Sequence, residues 1–152
     1  MIKLLLVEDD ASLCYMVKSS LEDLIGGYEV IIANNGKEGL DAWKEHQPDI
    51  IVTDIEMPVM DGREMVSRIR EIDGDTPLLF ASGHVTPKDV IEGYQIGANK
   101  LYQKAFYRGR NGCAYPWTVE YERRGAFQES IPYIYDWQLS VGCRALSTEK
   151  RR

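Results

Sequence analysis

Strand-like and helix-like segments alternate along the first hundred residues, and this alternation constrains the fold more than any other feature. The β-favouring runs Ile2–Val7, Tyr28–Ala33, Asp49–Thr53, Pro77–Ala81 and Lys100–Gln103 are short and nearly continuous in apolar residues, as strands buried on both faces should be. Between them the apolar residues take helical spacing. Asp10 is placed to cap a helix that carries Leu13, Val17, Leu21 and Leu24 on one face, and Gly26-Gly27 stops it. Asn35–His46 reads as a helix with Leu40 and Trp43 inward, and Pro48 follows its end. Asp61 caps a third helix bearing Met65, Val66, Ile69 and Ile72; Thr86–Gly97 is a fourth, with Val90, Ile91 and Tyr94. Parallel strands joined by right-handed helical crossovers are the economical solution to βα repeated four times plus a last strand. The expected fold is therefore α/β, a doubly wound five-stranded parallel sheet with helices on both faces.

In such sheets the functional site lies beyond the carboxyl ends of the strands. The first strand runs into Glu8-Asp9-Asp10, the third into Asp54, the fourth into Ser82 and the fifth into Lys104. Taken singly, these read most simply as helix caps, a turn serine and a solvated lysine. Together, carboxylates converging from neighbouring strands repel one another and call for a cation. An all-oxygen donor set suits a hard ion that keeps some of its water, and Mg²⁺ is the natural candidate. A hydroxyl and an ammonium can hold phosphoryl oxygens, and a carboxylate can itself become an acyl phosphate.

The segments Leu5-Leu6-Val7-Glu8-Asp9-Asp10, Asp54-Ile55-Glu56-Met57-Pro58-Val59-Met60-Asp61-Gly62, Ala81-Ser82-Gly83-His84 and Gly97-Ala98-Asn99-Lys100-Leu101-Tyr102-Gln103-Lys104 carry a resemblance. Over residues 1 to about 106 the chain resembles the CheY-like receiver domain of two-component response regulators. The resemblance implies a flavodoxin-like strand order of 2-1-3-4-5. It implies that Asp54 is the phosphoacceptor, attacking the phosphohistidine of a sensor histidine kinase or phosphotransfer protein. Glu8, Asp9, Asp54 and the backbone carbonyl of Glu56 would hold Mg²⁺, Lys104 would pair with Asp54 and then with the phosphoryl group, and Ser82 would turn inward to bond a phosphoryl oxygen. Glu56 and His84 occupy positions that tune dephosphorylation in the family; for His84 a loop histidine without a role is the competing reading. The expected protein is not an enzyme but a phosphoacceptor that assists its own phosphorylation and dephosphorylation and switches a downstream effector.

Three departures from the family pattern stand out. Leu101, not an aromatic, lies three residues before Lys104, which puts an aromatic rotamer switch there in doubt. Ala105 replaces the usual proline, so the Lys104–Ala105 bond is expected to be trans, since a cis bond to a non-proline costs roughly 3–4 kcal/mol. No fifth amphipathic helix is visible, because Gly109, Gly112 and Pro116 interrupt the region, and Thr118–Phe127 offers at most a short, poorly phased helix.

Composition changes at the same place. Residues 1–104 hold ten Lys/Arg against nineteen Asp/Glu, whereas residues 105–152 hold eight against five, and eight of the fifteen aromatics fall in residues 107–152. The expected organisation is a receiver domain over 1–106 and an atypical segment over 107–152 in place of the fifth helix. Three readings of that segment stand: a cover in which Trp117, Tyr133, Tyr135 and Trp137 replace the helix, a partner-binding or dimer-forming segment, and a reading-frame artefact.

A net charge of −6 argues against bulk attraction to nucleic acid or anionic membranes, and with no helix-turn-helix in view, direct DNA binding is not expected. No apolar run approaches the roughly 20 residues that span a bilayer. Cys14, Cys113 and Cys143 are odd in number and lack metal-ligand spacing, which suits free thiols in the cytoplasm. Two other classes compete. One is a pseudo-receiver that binds protein without cycling. The other is a phosphatase of the haloacid dehalogenase type, faintly suggested by Asp54-x-Glu56, although that family carries its nucleophile on the first strand.

Overall fold

The computed structural model describes residues 1–104 and, beyond them, the backbone of three short strands at 107–108, 114–115 and 119–122. The elements follow the expected order: β1 (Ile2–Val7), α1 (Ala11–Ser19), β2 (Tyr28–Ala33), α2 (Gly36–His46), β3 (Ile50–Thr53), α3 (Gly62–Arg70), β4 (Leu78–Ser82), α4 (Pro87–Ile96) and β5 (Lys100–Gln103). The five strands are parallel and ordered 2-1-3-4-5. Asp10, Asn35, Asp61 and Thr86 cap the four helices, each side chain accepting from a backbone N–H three residues on.

Strand alternation divides the interior into two cores. Leu5, Val7, Ile51, Leu78, Phe80 and Leu101 pack with Leu40 and Trp43 of α2 and Met65, Val66 and Ile69 of α3. Leu4, Leu6, Ile50, Leu79 and Tyr102 lie in the other core, with Leu13, Cys14 and Val17 of α1. All five residues of β4 are buried, and each large apolar side chain so placed contributes on the order of 2 kcal/mol. Leu101 and Tyr102 thus face opposite cores, and the aromatic ring lies on the α1 side rather than the side of α4.

Three apolar positions assigned inward are exposed. Leu24 is exposed because α1 passes into a π-helical segment, Ser20–Ile25, closed by the Gly26 N–H donating to Leu21 O. The wider turn rotates Leu24 off the face that Leu13, Val17 and Leu21 define. The same segment serves the sheet edge. Lys18 Nζ donates to Val30 O (2.7 Å), and Glu22 Oε1 accepts from Val30 N (2.8 Å), so an ion pair stands where a neighbouring strand would. Ile72 falls beyond the end of α3 and is exposed. Ile91 is exposed because α4 approaches the sheet through Gly93, whose added Cβ would lie 3.0 Å from Leu101 Cδ1. Two residues along a helix turn about 200°, so a buried Gly93 sends Ile91 outward.

Beyond Lys104, β6 (Tyr107–Arg108) pairs with β7 (Ala114–Tyr115), and β8 (Val119–Glu122) adds to the sheet antiparallel to β5, with Leu101 opposite Tyr121. A helix over Thr118–Phe127 is therefore not what forms at Val119–Glu122. The Val-Glu-Tyr-Glu alternation has the period of a strand, and β5 offers an edge to pair with. The Lys104–Ala105 bond and the proposed aromatic cover of Trp117, Tyr133, Tyr135 and Trp137 lie outside the described residues. Among the described residues, no helix is long and apolar enough to cross a membrane.

Candidate metal and phosphoryl site

Three side chains of the site lie one residue past a strand, and each is fixed by one further ladder-type hydrogen bond. Glu8 N donates to Ala33 O (3.0 Å), Asp54 N to Val7 O (2.9 Å) and Lys104 N to Ser82 O (2.6 Å). The register Val7↔Thr53, Thr53↔Phe80 and Phe80↔Leu101 therefore sets Glu8 level with Asp54, with Lys104 two residues further along its strand. Beyond that level the ladder stops and the side chains turn toward each other.

Glu8, Asp9 and Asp54 each place a carboxylate oxygen within 4.8 Å of the others. Lys104 Nζ donates to Asp54 Oδ2 (2.9 Å) and to Glu8 Oε2. Its strand lies two positions from β3, roughly 10 Å at ladder spacing, so a long side chain is needed to close the distance. Glu8 and Lys104 are buried, Asp54 is half-buried and Asp9 is exposed, so the cluster opens to solvent on the Asp9 side.

The charges do not balance: three carboxylates face one ammonium. Burial pushes Glu8 above its ordinary value, against the hydrogen bond from Lys104. Burial would lower Lys104, but its hydrogen bond to Glu8 and the charge of Asp54 outweigh that, and Lys104 is raised and stays charged. A hard divalent cation fits this donor set, because it supplies the missing positive charge and accepts oxygen ligands.

The loop after β3 is held by close backbone packing. Asp54 Oδ1 accepts from Ile55 N (2.6 Å), leaving Oδ2 to Lys104. Gly62 N donates to Ile55 O (2.8 Å), and a Cβ on Gly62 would fall 1.9 Å from the Asp54 carbonyl oxygen, so only glycine lets α3 start there. Gly36 N, at the start of α2, donates to Met60 O (2.9 Å) from the other side. Glu56 sits exposed on this loop, two residues past Asp54, and its side chain is not part of the carboxylate cluster. Ser82 is buried and its hydroxyl donates to His84 O (3.0 Å), turned into its own loop rather than toward Asp54. His84 is exposed.

Two supporting groups were not read as part of the site from the sequence. Thr53, fully buried, donates its hydroxyl to Asp54 O (2.9 Å), and a polar residue closing an apolar strand is the clue that marks it. Cys14 is buried and donates to Glu8 O (3.4 Å); burial pushes its thiol up to about 11, which makes it an inert packing group at neutral pH.

Comparison with known proteins agrees with this geometry. The sequence model of the response regulator receiver domain matches residues 4–110. The chain is 34% identical over 109 residues to the chemotaxis protein CheY of Bacillus subtilis, covering 71% of this chain and 89% of that protein. It is 35% identical over 104 residues to the transcriptional regulatory protein PrrA of Mycobacterium tuberculosis, covering 68% of this chain but 44% of that protein. The chain thus spans less than half the length of the transcriptional regulators it matches. Among solved structures, the chemotaxis protein CheY4 of Vibrio cholerae is similar, with a TM-score of 0.65 and 36% identity, covering 70% of this chain and 89% of that one.

Proposed function

Because the chain belongs to the response regulator receiver family of two-component systems, we propose that it is a phosphorylated switch in which Asp54 is the phosphoacceptor. The observation that carries this reading is the pairing of Asp54 Oδ2 with Lys104 beside two further carboxylates. Glu8, Asp9 and Asp54, with the Glu56 carbonyl, would hold Mg²⁺, which supplies positive charge to offset that of the transferring phosphoryl group.

Asp54 attacks the phosphorus of a phosphohistidine on a sensor kinase or phosphotransfer protein. A new O–P bond forms, the N–P bond breaks, and the imidazole leaves with the electron pair. Lys104 holds Asp54 oriented, then follows the charge onto the phosphoryl oxygens. Ser82 must give up its bond to His84 O to reach the new group, and this moves the loop that leads into α4. The protein turns over no other substrate in this reading; it assists its own phosphorylation and dephosphorylation in the cytoplasm and passes the change to an effector.

Intact mass after incubation with acetyl phosphate and Mg²⁺ tests the reading, with Asp54→Asn alongside. A gain of one phosphoryl group in the wild type alone is expected. Labelling that persists in the variant would sink the site assignment, and a folded wild type that gains nothing would favour the non-cycling pseudo-receiver.

A further inference from the structure

The second residue of α3 reaches across to the start of α4. Arg63 Nη2 donates to Asp89 Oδ1, and Arg63 Nε lies 3.5 Å from Glu92 Oε2. Asp89 is already committed on its other oxygen, where Oδ2 accepts from Thr86 N (2.8 Å) and Thr86 Oγ1 (2.7 Å) in the box that starts α4. Arg63 therefore grips the N-terminal cap of α4, not merely its surface. On its own helix Arg63 follows Gly62, the residue packed on the Asp54 carbonyl. Thr86, in turn, ends the loop that begins at Ser82, whose hydroxyl is spent on His84 O.

We propose that Arg63 is a positioning residue that latches the cap of α4 to the Asp54 loop in the unphosphorylated arrangement. The inference rests on the phosphoacceptor reading of Asp54. When Ser82 turns to a phosphoryl group, His84 O loses its donor and the loop to Thr86 must shift. Asp89, bonded to Thr86 and Arg63 at once, resists that shift. Arg63 thus sets how readily the phosphoryl signal reaches α4, without touching the acidic cluster.

The test is a titration of beryllofluoride, a phosphoryl mimic, in saturating Mg²⁺, followed by amide NMR of residues 83–97. Wild type, Arg63→Gln, Arg63→Lys and Lys88→Ala are compared; Lys88 pairs with Glu92 at 3.5 Å and serves as the control for a generic surface ion pair on α4. Loss of a partly exposed pair of this kind should lower the half-saturating concentration about threefold in Arg63→Gln. The Thr86 and Asp89 signals of the free variant should already lie displaced toward their saturated positions. Arg63→Lys should recover part of the shift, Lys88→Ala should match wild type, and Mg²⁺ affinity should be the same in all four. Equal half-saturation in wild type and Arg63→Gln, or a changed Mg²⁺ affinity in that variant, would overturn the latch while leaving the phosphoacceptor reading intact. A wild type that binds Mg²⁺ but ignores beryllofluoride would overturn both.

Discussion

Val59 is held in the left-handed region at φ +71°, a conformation that β-branched residues avoid. The cause is local. Met60 N donates to Pro58 O (2.8 Å), closing a three-residue turn with Val59 at its centre, and this turn brings Met60 under Gly36 and Asp61 to its capping position. The side chain itself is 80% exposed, so little packing is lost if it is replaced. Strain of this kind costs on the order of 1 kcal/mol or more. Val59→Asn, a residue that tolerates the left-handed region, should therefore stabilise the fold by about 1 kcal/mol in thermal or urea unfolding. A midpoint that stays or falls would show that the turn is not strained.

The link between α3 and β4 depends on a small acid-sensitive turn. Asp73 Oδ1 accepts from Asp75 N (2.9 Å) and Thr76 N (3.0 Å), and its Oδ2 accepts the Thr76 hydroxyl. Arg70 ties this turn to the link between α4 and β5 through Asp73 O, Gly97 O and Asn99 Oδ1. The hydrogen bond from Thr76, with those from the backbone, lowers Asp73 from 3.8 to about 2. A carboxyl depressed in the folded state contributes stability that is complete above its unfolded value and is lost as pH falls through the folded one. The window is thus from about pH 4 down to about pH 2, and after solvent screening the contribution is on the order of 1 kcal/mol. Asp73→Asn should be less stable at neutral pH and show a shallower loss of stability across that window in urea unfolding. Parallel pH profiles for the two proteins would remove Asp73 from the account.

At the scale of the whole molecule, the site is assembled from chain segments some 45 residues apart, which only the folded sheet brings together. A cation held by Glu8, Asp9 and Asp54 therefore binds the native state and not the unfolded chain. Mg²⁺ at a hundred times its dissociation constant should stabilise the protein by about 2.7 kcal/mol. The thermal midpoint should rise with Mg²⁺ at constant ionic strength, and the rise should shrink sharply in Asp9→Asn. A midpoint indifferent to Mg²⁺ would argue against a cation site. The same scale explains the added strand: β8 covers an edge of β5 that the five-stranded sheet would otherwise leave open.

The order of strands and helices, the capping residues Asp10 and Asp61, and the set Glu8, Asp9, Asp54 and Lys104 were legible in the sequence, whereas Asn35 and Thr86, read as the first residues of their helices, prove to be caps. Period, capping chemistry and the position of polar residues at strand ends are local properties, written residue by residue. What local pattern could not reveal depends on contacts between distant segments. Leu24 and Ile91 carry the right spacing, yet a π-helical turn and the close approach of Gly93 to Leu101 turn them outward. The strand at Val119–Glu122 exists by pairing with β5, a partner no window of sequence contains. Likewise the hydroxyl of Ser82 bonds His84 O, and Arg63 grips the cap of α4, because the fold brings those atoms within reach. Sequence determined which groups stand at the strand ends; tertiary packing decided which of them meet.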